Sequence, residues 1–125
     1  MIVAIGVDAV EIARIQRMFA STGERLLARI CTDDEASYCL TRSNPAESLA
    51  ARFAAKEAAM KCLGTGWADG LAFRQIEVRR LPSGDTELWV HGAAKERAEQ
   101  LGIRRWHVSL THTEITATAF VIAES

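Results

Sequence analysis

The sequence lacks the features of several protein classes. No apolar run reaches the ~20 residues that a membrane-spanning helix needs. The first residues, MIVAIGVD, contain no basic segment and no small-residue cleavage site, so we expect no signal peptide. The three cysteines (Cys31, Cys39 and Cys62) are odd in number and form no CxxC pair, which argues against a disulfide framework and a zinc ribbon. We therefore expect reduced thiols and a cytoplasmic location.

An excess of charge of one sign is also missing. The chain has 15 Lys and Arg against 16 Asp and Glu, and the net charge of −1 is not that of a nucleic-acid-binding protein. Neither a Walker A loop nor a GxGxxG motif occurs. The composition, 49% hydrophobic and 25% charged, is ordinary for a globular protein. A length of 125 residues predicts a single domain, residues 1–125.

The clearest pattern that is present lies in PAESLAARFAAKEAAMKCLGTG, residues 45–66. Its many alanines favour helix, Pro45 fits the first turn, and Gly64 is placed to end the helix. Four residues form an apolar stripe that should face the core, with Lys56 inside it: Leu49, Phe53, Met60 and Leu63. Glu57 and Lys61 lie one turn apart on its flank. They are either an ordinary surface pair or the wall of a site.

The first apolar run, from Ile2 to Val7, predicts a buried strand, and Asp8 follows it directly. A carboxylate at the end of a buried strand must be solvated, paired or bound to a metal ion. The alternative is a carboxylate at a helix N-terminus, because helical periodicity begins near Glu11.

The rest of the chain predicts helices and hairpins, which together indicate an α+β fold with a largely antiparallel sheet around the long helix. Thr32 and Glu35 have the spacing of a capping box. Asp69 and Gly70 mark part of a flexible connection. The predicted helices cover residues 11–21, 24–30, 32–40 and 93–101, with a break at Gly23, and the predicted strands cover residues 73–81, 88–90, 105–112 and 115–123.

Three places could carry chemistry: Asp8, the helix flank, and His112 at the end of a strand. Two separated carboxylates, Asp8 and Glu57, suit Mg²⁺, whose other ligands are usually water and substrate phosphates. Arg52 and Lys61 beside such a cation would bind phosphate oxygens, and Gly64 would let a phosphate approach the backbone. These groups suggest phosphoryl chemistry. His112 has the parity of the core-facing residues of its strand, and such a histidine is more often structural than catalytic.

Three segments, GVDAVEIARI, RFAAKEAAMKCLGTG and HVSLTHT, resemble the holo-acyl-carrier-protein synthases, the short bacterial-type 4′-phosphopantetheinyl transferases. The resemblance spans nearly the whole chain in the right order. It implies transfer of 4′-phosphopantetheine from coenzyme A to a serine of apo-acyl carrier protein, with release of adenosine 3′,5′-bisphosphate. It also implies a homotrimer with active sites between subunits.

The same resemblance implies roles for individual residues. Asp8 and Glu57 match the Mg²⁺ ligands, and Lys61 matches a lysine that contacts phosphate. Arg52 and His112 match positions that line the coenzyme A site. The expected catalytic residues are therefore Asp8, Glu57, Lys61 and His112, and those expected to bind coenzyme A are Arg52, Lys61, Gly64 and His112. On the helix expected to dock the acidic carrier protein, Arg14 matches one position and Arg25 another.

Two other classes remain as alternatives. One is a non-catalytic module that binds coenzyme A, a nucleotide or a carrier protein, and it would need neither Asp8 nor a divalent cation. The other is a structural protein with a charged helix, which would not bind coenzyme A. We expect no nucleic-acid or membrane partner.

Overall fold

The computed structural model describes residues 1–67 and 70–125, so the predicted connection at Asp69 lies outside the described residues. The fold is α+β with antiparallel sheets, as the sequence predicted. In chain order the elements are β1 (Ile2–Glu11), α1 (Ile12–Ile30), α2 (Asp33–Thr41), α3 (Pro45–Leu63), a 3₁₀ turn (Phe73–Gln75), β2 (Ile76–Arg80), β3 (Thr86–Val90), α4 (Gly92–Gln100), β4 (Arg105–His112) and β5 (Thr116–Glu124). No helix in these two ranges is long and apolar enough to cross a membrane.

The strands form two antiparallel sheets. One contains three strands in the order β1-β5-β4, and the other is the β2-β3 hairpin. In the larger sheet Asp8 lies opposite Ala119, and Val10 lies opposite Ala117, which in turn lies opposite His112. Residues directly opposite each other point to the same face of a sheet. Asp8, Val10 and His112 therefore share the face that packs against α3.

The long helix α3 is the centre of the molecule. Its predicted limits are confirmed: Pro45 begins the helix, and Gly64 closes it in the left-handed conformation with φ of 76°. The apolar stripe is buried as predicted, but burial extends almost all around the helix. Small alanine side chains allow this, because they let the surrounding strands and helices approach the helix backbone from several sides.

The prediction of β1 as a fully buried strand is wrong. The strand runs on past Asp8 to Glu11, and alternate residues on its outer face are exposed, including Val3, Ile5 and Val7. β1 is an edge strand of a sheet that α3 covers on one face only. The apolar run thus reflects one buried face and one exposed apolar face. Asp8 lies inside the strand and does not cap a helix, which removes that alternative.

Two further boundaries differ from the sequence prediction. Residues 73–75, expected to begin a strand, form a 3₁₀ turn, and β2 starts only at Ile76. The buried Lys56 explains this, because its ammonium group donates to the carbonyl oxygens of Phe73 and Ile76 and so fixes the backbone in a turn. In α1, the predicted break at Gly23 is a kink with non-helical φ and ψ inside one long helix.

Candidate active site

Asp8 reaches α3 because the strand that carries it packs unusually close to the helix. A Cβ atom built on Gly6 would lie 1.9 Å from the carbonyl oxygen of Ala58, so only glycine fits at this crossing. Two residues later on the same strand face, Asp8 accepts a 3.4 Å hydrogen bond from Lys61 Nζ, which also donates to the carbonyl oxygen of Val7 at 2.7 Å. The structure therefore joins Asp8 and Lys61, which are 53 positions apart in the chain.

Glu57 lies one helical turn before Lys61, and the two line a small cavity of about 190 Å³ together with Gly64 and Trp67. The simple surface pair between Glu57 and Lys61 is not formed, because within the described residues Lys61 bonds to β1 instead. Glu57 Oε1 accepts a 3.0 Å hydrogen bond from the indole nitrogen of Trp67. Sequence reasoning missed Trp67, since an aromatic residue after a glycine turn follows no site motif.

Asp8 and Glu57 provide the oxygen ligands that a magnesium ion prefers. Asp8 and Glu57 are both half-buried, so their oxygens are open to water and to substrate. In the part of the chain that the structure describes, no cluster of three metal-ligating side chains occurs. A cation held by two carboxylates, water and substrate phosphates is the usual pattern for Mg²⁺ and needs no third protein ligand. The residues present therefore fit Mg²⁺.

Arg52 and His112 meet in a second, larger cavity of about 390 Å³. Its lining contains one carboxylate, Glu47, but is otherwise rich in basic and hydroxyl groups, which suits an anion: Tyr38, Arg42, Ser43, Ser48, Arg52, Arg80, Thr86, Thr111 and His112. The Arg52 guanidinium lies 4.4 Å above the ring of Tyr38 and donates to Ser48 Oγ at 2.9 Å. Its buried Nε has no hydrogen-bond partner among the described residues. No site motif marks Tyr38, Arg42 or Arg80, which come from α2, the residue directly after α2, and the end of β2.

Within one chain the two cavities are separate. His112 lies on β4, two strands from Asp8, and opposite Val10, which is two residues further along β1. Standard strand spacings therefore place the Cα atoms of Asp8 and His112 about 12 Å apart. His112 is half exposed, and its Nε2 lies 3.4 Å from Glu47 Oε1. The structure thus places Glu57, Lys61 and Gly64 around one cavity, with Asp8 bonded to Lys61 beside it, and Arg52 and His112 around another.

A buried thiol pair lies beside Arg52. Cys39 Sγ is 3.6 Å from Ser48 Oγ, the same hydroxyl that Arg52 contacts. A hydrogen bond from Cys31 lowers the pKa of Cys39, with a further contribution from the Arg52 charge, while burial acts in the opposite direction. The pKa of Cys31 is raised, chiefly by the same hydrogen bond and by burial. All three cysteines are free.

The two arginines predicted to dock a partner occupy different parts of α1. Arg25 lines an open groove of about 540 Å³ beside the Gly23 kink, together with Arg17, Arg29 and the apolar side chains of Met18 and Leu26. Arg14 lies outside this groove, 5.7 Å above the ring of Phe53 on α3. The helix therefore presents a basic surface with an apolar centre and one further arginine near the core.

Comparison with known proteins gives the class to which this fold and site correspond. Residues 4–118 match the family model described as the 4′-phosphopantetheinyl transferase superfamily, and the chain belongs to that family. A relative from Nitratidesulfovibrio vulgaris (strain DP4), named holo-[acyl-carrier-protein] synthase, is 49% identical over 125 residues and is covered completely, as is this chain.

Solved structures agree with the sequence relatives. The crystal structure of holo-[acyl-carrier-protein] synthase from Neisseria meningitidis superposes with a TM-score of 0.91 at 37% identity, covering 100% of both chains. The Helicobacter pylori holo-[acyl-carrier-protein] synthase in complex with coenzyme A gives a TM-score of 0.85 at 28% identity, covering 97% of this chain and 100% of the other. The predicted fold and the predicted enzyme family, holo-[acyl-carrier-protein] synthase, are confirmed.

Proposed function

We propose that this chain transfers 4′-phosphopantetheine from coenzyme A to a serine of apo-acyl carrier protein in a Mg²⁺-dependent reaction. The observation that carries the proposal is the convergence of Asp8, Lys61 and Glu57 where β1 crosses α3, in a chain whose full-length relatives are named holo-[acyl-carrier-protein] synthase. This site offers two carboxylates and one exposed ammonium group to a diphosphate.

In the proposed reaction, the carrier serine hydroxyl attacks the β-phosphorus of coenzyme A. A serine oxygen to phosphorus bond forms, the bond from phosphorus to the bridging oxygen breaks, and adenosine 3′,5′-bisphosphate leaves. Mg²⁺ held by Asp8 and Glu57 would neutralise charge on the diphosphate. The serine proton passes to a carboxylate of the site or to water.

Lys61 supplies positive charge to the leaving phosphate. Its side chain is 56% exposed, and its ammonium group has three donors, of which the Val7 carbonyl and Asp8 engage two. The third remains for a phosphate oxygen. Fixed cations aimed at charge that develops in the transition state are a main source of catalysis in phosphoryl transfer.

The basic cavity around Arg52 and His112 would hold a phosphate group of coenzyme A. Arginine gives bidentate, planar recognition of phosphate, and Arg42 and Arg80 line the cavity beside Arg52. The crystal structure of the Helicobacter pylori relative is a complex with coenzyme A, which supports a coenzyme A site on this fold.

The groove on α1 would dock the carrier protein. Arg17, Arg25 and Arg29 surround Met18 and Leu26, which offers charge at the rim and apolar contact in the centre to an acidic protein. Arg14, closer to α3, extends the basic surface towards the proposed active site.

We also propose that the chain assembles into a homotrimer through the outer face of the β1-β5-β4 sheet. Val3, Ile5 and Val7 are exposed there by 40%, 56% and 47%, and Phe120, directly opposite Val7, by 45%. A contiguous apolar face of this kind marks a protein interface. A second copy fits it best, because the face carries apolar side chains where an acidic carrier would need basic ones.

Mass spectrometry tests the activity directly. Apo-acyl carrier protein incubated with the chain, coenzyme A and Mg²⁺ should gain the mass of one phosphopantetheine group, and a chelator should prevent this. An unchanged carrier mass together with calorimetric binding of coenzyme A would favour the non-catalytic module.

Analytical ultracentrifugation tests the assembly: Phe120→Asp should convert a trimer into monomers, and a monomeric unmodified chain would disprove the proposed trimer.

A further inference from the structure

The indole ring of Trp67 occupies a defined position beside the candidate active site. Its Nε1 donates a 3.0 Å hydrogen bond to Glu57 Oε1, and its half-buried ring lines the cavity that also contains Lys61. Among the described residues, Trp67 is the only hydrogen-bond partner of the Glu57 side chain. The second carboxylate oxygen, Oε2, has no hydrogen-bond partner among these residues, and Glu57 lines the cavity.

Trp67 is itself held in place by packing. Its ring lies 3.9 Å from the ring of Phe73, centroid to centroid, and Phe73 in turn stacks on Phe53 of α3 at 5.6 Å. Such aromatic pairs fix ring orientation. The indole nitrogen is thus aimed at Glu57 by a stack of rings that begins on the same helix as Glu57.

The backbone of Phe73 is fixed as well. Its carbonyl oxygen accepts a 3.1 Å hydrogen bond from Lys56 Nζ, and Lys56 is the residue directly before Glu57. Lys56 is fully buried and paired with Glu35 at 2.7 Å. A closed series of contacts therefore runs from Lys56 to Phe73, from Phe73 to Trp67, and from Trp67 back to Glu57.

We infer that Trp67 is a positioning residue that holds one oxygen of Glu57 so that the other faces the cation. The inference rests on the proposed function, because it assigns Trp67 a role through a Mg²⁺ ligand. Carboxylates that bind metal ions are usually oriented by an outer hydrogen bond, and loss of such a bond typically weakens metal binding by about 10–100-fold. We expect the lower end of this range, since Trp67 is only half-buried.

The chain offers a matched control. Trp89 on β3 also donates its indole nitrogen to a glutamate, Glu87, at 3.0 Å, but on the exposed surface of the hairpin. Trp67→Phe and Trp89→Phe therefore remove the same type of bond, one beside the candidate site and one away from it. Phenylalanine keeps an aromatic ring for stacking on Phe73.

The first measurement is transfer activity as a function of Mg²⁺ concentration. In Trp67→Phe, the Mg²⁺ concentration for half-maximal rate should rise about tenfold, and kcat at saturating Mg²⁺ and KM for the carrier should change less than threefold. Trp89→Phe should behave as the unmodified chain. An unchanged Mg²⁺ requirement in Trp67→Phe overturns the inference alone, whereas an unmodified chain that is active without Mg²⁺ overturns both it and the Mg²⁺-dependent function.

The second measurement does not depend on activity or on the folding of Trp67→Phe. In the ¹⁵N-labelled unmodified chain, Mg²⁺ alone should shift the indole N–H resonance of Trp67 and leave that of Trp89 in place. Glu57→Gln should abolish the shift. A Trp67 resonance that does not move at saturating Mg²⁺ overturns the inference, even if Trp67→Phe fails to fold.

Discussion

Two lysines on α3, five positions apart, form two very different ion pairs. Lys56 is fully buried and bonds to Glu35 at 2.7 Å, with two backbone carbonyls completing its donors. The Lys61 side chain is 56% exposed and meets Asp8 at 3.4 Å. The first pair closes the junction of α2, α3 and β2, whereas the second lies where substrate can reach it. The difference separates a lysine that maintains the fold from one available for chemistry.

The largest expected effect is loss of the buried pair. Lys56→Met should lower the free energy of unfolding by about 3–5 kcal/mol, because Glu35 is left charged and buried with only the more distant Arg52, 3.9 Å away, as its cation. Urea denaturation measures this. Replacing both residues, with Lys56→Met and Glu35→Leu together, should cost less than the sum of the two single losses, since each single variant leaves one buried charge without its 2.7 Å partner. A single variant as stable as the unmodified chain would contradict the structural role of Lys56.

The exposed pair should show the opposite behaviour. Lys61→Met should reduce kcat by about 10²-fold or more, because a cation aimed at the leaving phosphate is removed. The free energy of unfolding should change by less than about 1 kcal/mol, as for other exposed ion pairs. Turnover assays and urea denaturation on the same sample test both parts. Full activity in Lys61→Met would remove Lys61 from the mechanism.

A smaller loss of stability should follow when β1, which carries Asp8, is pushed away from α3 and the buried Lys56–Glu35 pair is left intact. Gly6→Ala puts a methyl group at 1.9 Å from the Ala58 carbonyl oxygen, so β1 must shift. We expect a loss of about 1–3 kcal/mol in stability, as for other overpacked positions, and reduced activity because Asp8 moves with the strand. Ala4→Gly on the same strand face is the control, and it should preserve activity. Unchanged kinetics in Gly6→Ala would contradict the close crossing.

The smallest expected effect is on the pH dependence of stability, through the buried carboxylate of Glu77. Burial tends to raise the pKa of Glu77, but hydrogen bonds from His91, Arg79 and Thr32 outweigh it and hold the pKa below its usual 4.5. A carboxylate with a depressed pKa stabilises the fold at higher pH, and this stability is lost as the pH falls below about 4.5.

Glu77→Gln tests this sign. The variant should be less stable than the unmodified chain at pH 7, and the difference should shrink between pH 5 and pH 3 as Glu77 becomes protonated in the unmodified chain. Urea midpoints at several pH values measure it. A difference that stays constant over this range would show that the ionised form of Glu77 does not stabilise the fold.

Local patterns predicted the parts of the fold that depend on nearby residues. The limits of α3 follow from Pro45 and Gly64, and the capping box of Thr32 and Glu35 opens α2 as expected. The errors arose where distant groups decide the structure. Residues 73–75 form a turn because Lys56 donates hydrogen bonds to the carbonyl oxygens of Phe73 and Ile76. One face of β1 is exposed because no second layer among the described residues covers it.

In the candidate site, too, sequence motifs indicated individual residues but not the contacts between distant ones. Family motifs identified Asp8, Glu57, Lys61, Arg52 and His112, yet spacing could not reveal that Lys61 bonds to Asp8 and not to Glu57. Tyr38 and Arg42 are one helical turn apart at the end of α2, but no sequence periodicity relates this pair to Arg80 or to Arg52. Trp67 likewise reaches its cavity through the packing of separate elements. These neighbours can be identified only in the folded chain.

The nearly complete burial of α3 has a consequence for hydrogen exchange. Backbone amides in the middle of this helix should exchange with deuterium only when the whole molecule unfolds, whereas those near the Gly23 kink of α1 should exchange through local opening. Glu57 and Lys61 thus lie on the segment that should exchange most slowly. The basic groove lies beside the kink, on a segment that should open locally and so adjust its shape to a partner.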